Sequence, residues 1–174
     1  MKKKPFVSII ITYFNKKKFI KKTLKSILNQ TYKNYEIIFV YDDNNKNDIK
    51  FIKSLLLKFK KKKLIINKKN LGVAESRNIG IKHSKGQYFA FIDADDLWIK
   101  DKLSYQIKFM VKKNLIFSFT SYKQIDEDNK VIGKRIANSD PKYSQLIKSN
   151  YIGLSTVIFS KKILKDFKFP NLKS

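Results

Sequence analysis

Three short apolar runs, at residues 6–11, 36–41 and 88–92, do most to limit what this chain can fold into. Each is too short to cross a bilayer and, Ser8 and Glu36 apart, too uniformly apolar for a half-wet strand. They read as strands covered on both faces. Helix-spaced stripes lie between them: Ile20, Leu24, Ile27 and Leu28, then Ile49, Ile52, Leu55, Leu56 and Phe59. A short third strand is predicted at residues 64–66 and a third helix over 72–83, closed by a turn around Gly86. Leu103, Ile107, Met110 and Val111 stripe a fourth helix. Asn15 is expected to cap the first helix, and His83 to lie at the end of the third. Strand and helix alternating at this spacing predict an α/β fold, with a mostly parallel, Rossmann-like central sheet and right-handed crossovers.

Two acidic clusters fall at the carboxyl ends of predicted strands, where ligands bind in such sheets. Asp42-Asp43 follows the second, and Asp93-Ala94-Asp95-Asp96 follows the run Tyr88-Phe89-Ala90-Phe91-Ile92. Read as strand residues i and i+2, Asp93 and Asp95 face one ligand together. Two hard oxygen donors suit Mg²⁺ or Mn²⁺ with open sites for phosphate oxygens. The same cluster also reads as an Asp-rich turn whose Asp96 caps the next helix. The convergence of two clusters on one sheet edge favours a nucleotide-and-metal site.

The chain has 174 residues, 43% of them hydrophobic, with 14 Phe and 9 Tyr, which suits one domain with a sizeable core. Its lack of cysteine excludes disulfides, thiolate metal sites and cysteine nucleophiles. Met1-Lys2-Lys3-Lys4-Pro5 starts like a signal, yet polar Thr12 and Asn15 arrive too soon for a secretory apolar segment, and a cytoplasmic protein is expected. The net charge is +25, and only Arg77 and Arg135 among 39 basic residues are arginine. Such a lysine excess follows from an AT-rich coding sequence, or it draws the protein to an anionic membrane face or polyanionic substrate. Nucleic-acid modules show Arg interleaved with aromatics, and that pattern is absent.

After Lys113 the pattern changes. Residues 115–125 read as one extended strand, 126–129 as a turn, 131–136 as its hairpin partner and 155–159 as another short strand, with a helical turn from Lys161. Neither GxGxxG nor GxxxxGK[ST] occurs, so a pyrophosphate here needs counter-ions other than a glycine-rich cradle. A metal on Asp95 supplies one. Arg77, in a chain that otherwise chooses lysine, suggests a planar multi-donor contact.

In order, Val7-Ser8-Ile9-Ile10-Ile11-Thr12-Tyr13-Phe14-Asn15, Leu28-Asn29-Gln30-Thr31-Tyr32, Val40-Tyr41-Asp42-Asp43, Asn70-Leu71-Gly72 with Ser76-Arg77-Asn78, and Asp93-Ala94-Asp95-Asp96 form a specific set. On these segments the chain resembles the family 2 glycosyltransferases, nucleotide-sugar-dependent enzymes of the GT-A fold. It departs from that pattern at Asn44-Asn45, where Gly-Ser is usual, and at Ser76, where Ala is usual. The resemblance implies one catalytic domain over 1–174, with a nucleotide-sugar half at 5–113 and an acceptor-side half from 114.

The resemblance also implies roles. Thr12 and Phe14 line the base and ribose, and Asp43 accepts from the pyrimidine edge. Arg77 lies near base or phosphates, Asp93 near ribose and metal, and Asp95 is the principal ligand of Mn²⁺ or Mg²⁺. The expected reaction is metal-dependent, inverting transfer from a UDP-sugar to a hydroxyl of a glycan or lipid-linked acceptor in polysaccharide synthesis.

The general base of the family lies in a Glu-Asp pair after a strand, a short helix and a Phe-containing turn. Residues 155–164 and 167–172 resemble that lead-in, and the base is expected beyond Ser174. Asp126, Glu127 and Asp128 read as a turn, Asp140 precedes Pro141, and Asp166 follows a helical turn, so none replaces it. The chain is expected to bind donor and metal and to transfer sugar poorly; a non-catalytic nucleotide-sugar-binding subunit and a basic nucleic-acid-binding domain are the alternatives.

Overall fold

A computed structural model describes residues 4–138, 152–165 and 168–170. Strands β1 (Val7–Tyr13), β2 (Tyr35–Tyr41), β3 (Lys62–Ile66) and β4 (Tyr88–Asp93) alternate with helices α1 (Lys17–Leu28), α2 (Ile49–Leu56), α3 (Val73–Lys82) and α4 (Lys102–Lys113). β5 (Phe117–Ser118), β6 (Tyr122–Ile125), β7 (Val131–Arg135) and β8 (Ile158–Ser160) follow. The main sheet has the order β3-β2-β1-β4-β8-β5. β3, β2, β1 and β4 run parallel, whereas β8 runs antiparallel to both β4 and β5. β6 and β7 form a separate hairpin.

The period of two along β1 explains why the sheet is covered twice. Val7, Ile9, Ile11 and Tyr13 face one core with the stripes of α1, α2 and α4. Ile10 faces the other, with Phe89, Phe91, Val157 and Phe159, and Ile79 of α3 packs against that cluster. α3 approaches closely because position 80 is glycine: a Cβ there would lie 2.5 Å from Ile10 Cγ2.

The strands and helices through α4 lie where the sequence predicts them, but four local expectations do not hold. Asn15 does not cap α1. It takes a left-handed conformation, φ 48°, and Lys16 occupies the N-cap position without a side-chain cap bond. The reason is tertiary: Asp43 Oδ2 accepts the Asn15 N–H at 2.9 Å, and asparagine tolerates this backbone region. Asp96 does not cap α4 either, since that helix starts at Lys102 after Asp101. Residues 115–125 are two strands in two sheets, because β5 pairs with β8 whereas β6 turns away into its hairpin. Residues 155–159 begin as a 3-10 turn over Leu154–Thr156, and β8 starts only at Ile158. Asp140, Asp166 and Phe167 lie outside the described residues.

Among the described residues no helix is long and apolar enough to cross a membrane.

Candidate functional site

The parallel register fixes the floor of the site. Thr12 on β1 lies opposite Asp93 on β4 and Val40 on β2, so the carboxyl ends of the three central strands finish together. Above them opens a cleft of about 630 Å³, lined by Thr12, Phe14, Arg77, Asp93 and Asp95 together with Lys16, Asp42 and Asn70. That volume is in the range of small-molecule sites. Phe14 is 54% exposed at the cleft, an orientation that core packing does not explain. Tyr13 beside it is fully buried, and its hydroxyl donates to Asp48 Oδ2 at 2.7 Å. Burial and the Asp48 carboxylate hold that hydroxyl well above the usual tyrosine range.

The β2–α2 and β3–α3 loops form one wall through a buried polar network. Asp42 Oδ1 accepts from Asn67 Nδ2 at 2.7 Å and from the Leu71 N–H at 2.8 Å. Asn70 Nδ2 donates to the Asp42 carbonyl at 2.9 Å. Gly72, at φ 84°, then turns the chain into α3, a conformation that favours glycine. Asp43 has a different place from Asp42: its two oxygens accept the N–H groups of Asn15 and Asn45, each at 2.9 Å, and so organise the loops beside the cleft.

The opposite wall is acidic. β4 ends at Asp93, and the Asp96 N–H donates back to the Asp93 carbonyl at 3.1 Å. Asp93 and Asp95 therefore belong to a strand end and a turn, not to successive strand positions on one face, although both carboxylates line the cleft. Arg77 Nη2 donates to Asp93 Oδ1 at 2.9 Å, and its guanidinium lies 5.5 Å from the Phe169 ring centroid. Lys16 Nζ pairs with Asp95 Oδ2 at 2.8 Å, which holds the Lys16 ammonium above its ordinary range. Burial pushes the Asp96 carboxyl up, against a hydrogen bond from the Ser155 hydroxyl.

Among the described residues no three Asp, Glu, His or Cys side chains gather as a metal cage. The donor set still fits a hard divalent cation that takes one or two carboxylates and completes its shell with phosphate oxygens and water. The Lys16 ammonium at Asp95 shows that this oxygen is accessible to a cation.

All six residues singled out from the sequence thus lie at this sheet edge, five in the cleft lining and Asp43 in the loop beside it. Lys16, Asp42, Asn70, Trp98 and Ser155 complete the local structure. Lys16 was hidden among three adjacent lysines. Ser155 bonds the Asp93 N–H from 62 residues away, and no local signal marks it. Trp98 is 6% exposed and donates from Nε1 to the Ser155 carbonyl at 2.7 Å, which makes it a brace of the acidic turn.

The model of Glycosyl transferase family 2 matches residues 8–171. A UDP-Glc:alpha-D-GlcNAc-diphosphoundecaprenol beta-1,3-glucosyltransferase of Escherichia coli is 37% identical over 164 residues, 94% of this chain and 64% of that protein. The chain therefore spans less than two thirds of that relative's length. S. aureus TarS 1–349 in complex with UDP-GlcNAc has a TM-score of 0.75 at 20% identity, over 94% of this chain and 48% of that one. A mannosyltransferase from Pyrobaculum calidifontis in complex with GDP-Man and Mn²⁺ has a TM-score of 0.71 at 18% identity, over 97% and 48%. At these identities the structural likeness is one of fold.

Proposed function

The chain belongs to glycosyl transferase family 2, and from that premise we propose that it binds a UDP-sugar and serves its transfer to a hydroxyl of a lipid-linked glycan acceptor in polysaccharide synthesis. The observation that carries this reading is the cleft itself. It joins an exposed aromatic ring, Phe14, to a guanidinium and two carboxylates at the carboxyl edge of one parallel sheet. The relative named for a UDP-Glc donor and a diphosphoundecaprenol acceptor supports the choice of substrates.

In this reading Phe14 stacks on the base, Thr12 lines the ribose, and Asp43, beside the cleft lining, accepts from the pyrimidine edge through a lone pair left over from its bonds to the Asn15 and Asn45 N–H groups. Asp93, held by Arg77, meets the ribose, and the guanidinium's other donors serve the base or phosphates. Asp95, with Asp93, holds Mn²⁺ or Mg²⁺. When bound, that ion supplies Lewis-acid stabilisation of the departing nucleoside diphosphate. Lys16, which pairs with Asp95 at this edge, would have to give up that pairing for the ion and would supply a second positive charge there.

Inverting transfer needs one carboxylate to take the acceptor's proton. Asp126 is committed to turn N–H groups at Asp128 and Lys130, and Glu127 to Lys18, so we assign the base to a segment outside the described residues. The net charge of +25 attracts the protein to anionic headgroups, which fits a peripheral place at the inner face of the cell membrane and a lipid-linked acceptor. Nucleic acid is not among the proposed partners.

Calorimetric titration of UDP, with and without Mn²⁺, on the wild-type chain and on Asp95→Ala tests this. Metal-enhanced binding that the substitution abolishes is expected. Binding indifferent to both metal and Asp95 would remove the metal site from the reading.

A further inference from the structure

β8 returns antiparallel beside β4, with Tyr88 opposite Ser160, Phe89 opposite Phe159 and Ala90 opposite Ile158. Three residues after Ala90 is Asp93, and three residues before Ile158 is Ser155. This register delivers a serine from the second half of the chain to the acidic exit of β4. Its hydroxyl is used in both directions. It accepts the Asp93 backbone N–H at 3.0 Å and donates to Asp96 Oδ2, while the Ser155 carbonyl accepts from Trp98 Nε1 at 2.7 Å.

These bonds grip the acidic turn at its first residue and its fourth, and hold Trp98 two residues beyond it. Asp95 lies inside the gripped segment, and among the described residues its carboxylate pairs with Lys16, a partner that is itself partly exposed. The direction in which Asp95 presents its oxygens is therefore set from outside, by the fixed ends of the turn. The segment bearing Ser155 is held in turn, since Gln106 Nε2 donates to the Thr156 carbonyl at 3.0 Å and to the Ser118 carbonyl at 3.1 Å. Thr156 and Val157 are buried, so the segment cannot drift without loss of core packing.

We infer that Ser155 is a positioning residue for cation binding: it clamps the Asp93–Asp96 turn so that Asp95 is aimed into the cleft. This rests on the reading of Asp95 as the metal-binding carboxylate. It makes cation binding at the nucleotide edge depend on a residue of the second half of the chain, and it assigns Asp96 the role of anchor for the Ser155 hydroxyl, not of ligand. Outer-shell partners of metal ligands typically contribute about 10–100-fold to affinity.

The test uses Mn²⁺ titrated into the protein at saturating UDP, followed by the loss of the free-ion electron paramagnetic resonance signal, with UDP affinity in the absence of metal and the melting midpoint as controls. Ser155→Ala is expected to weaken Mn²⁺ binding by about 10-fold or more, with metal-free UDP affinity unchanged. Ser155→Thr, which keeps the hydroxyl, is expected to restore it. Asp96→Ala, tested in case Ser155→Ala does not fold, should reproduce the loss, whereas Asp96→Asn, which keeps an acceptor oxygen, should not. Wild-type Mn²⁺ affinity in Ser155→Ala would overturn the inference and leave the proposed function standing. A parallel fall of metal-free UDP affinity in that variant would also overturn it, since Ser155 would then support the cleft as a whole. Loss in Asp96→Asn equal to that in Asp96→Ala would make Asp96 a ligand and reject the anchor role. A wild-type chain that binds UDP without binding Mn²⁺ would overturn both this inference and the metal site it rests on.

Discussion

The Arg77 guanidinium on α3 donates to Asp93 Oδ1 at the end of β4, 2.9 Å away, and ties the helix to the acidic edge of the cleft. Arg77 is the more enclosed partner, with 17% of its side chain exposed against 41% for Asp93. A planar fork can hold Asp93 with one nitrogen and keep other donors for a ligand, which an ammonium cannot do in the same geometry.

Arg77→Lys should therefore weaken UDP binding even though the charge is kept. A loss of about 1.5–3 kcal/mol is expected for a hydrogen bond to a charged group. Calorimetry reads it directly, and an affinity equal to wild type would show that only the charge at position 77 matters.

Phe14 contributes little burial to the fold and should contribute mainly to binding. Phe14→Ala should cost about 1–3 kcal/mol of UDP affinity, the usual range for a base stacked on an aromatic ring, with an unchanged melting midpoint. Phe14→Trp should retain the affinity. If the alanine variant binds UDP as wild type does, the ring is not the base platform.

Lys102 sits at the start of α4, 8% exposed, with Nζ donating to Gln106 Oε1 at 2.9 Å and lying 4.4 Å from the Trp98 ring centroid. Burial lowers its pKa to about 7. In the unfolded chain a lysine keeps its proton up to about 10.4. Between those values the unfolded state binds the extra proton, so stability rises with pH across that window. Relative to Lys102→Met, wild type should gain about 2 kcal/mol between pH 7 and pH 9. Urea midpoints at the two pH values measure this, and parallel pH profiles would mean that Lys102 stays charged or hydrated.

Gly80→Ala should destabilise the protein. The added Cβ would lie 2.5 Å from Ile10 Cγ2, at the branch of a packed β1 side chain that has little room to yield. Overpacking of about 1–3 kcal/mol outweighs the gain of about 1 kcal/mol expected from helix propensity. The urea midpoint reports the sign. A rise would mean that α3 moves off the sheet at no cost.

Much of the architecture is local information. A buried strand needs an apolar run, and a surface helix needs a stripe with a period near 3.6, so β1, β2, β4 and the helices between them are legible in the residues themselves. The positions of Asp42, Asp43, Asp93 and Asp95 at strand exits follow from the same reading. Asn15 shows where it stops. Its type suits a helix cap and a left-handed turn equally, and the choice falls to the Asp43 carboxylate 28 residues later. Residues 115–125 alternate well enough for one strand, but they are divided because β8 lies beside Phe117 and Ser118 and not beside Tyr122.

By itself, then, the sequence determined the parallel half of the sheet, the edge proposed here as the ligand site, and the carboxylates, aromatic ring and arginine present there. Those are consequences of periodicity and of chain direction, which every residue carries locally. Tertiary structure alone decided that Asp42 rather than Asp43 lines the cleft, that Lys16 faces Asp95, and that Ser155 grips the acidic turn. Those outcomes depend on which distant backbone groups need partners after the strands have packed, and the antiparallel register of β8 that delivers Ser155 exists only once β4 is in place.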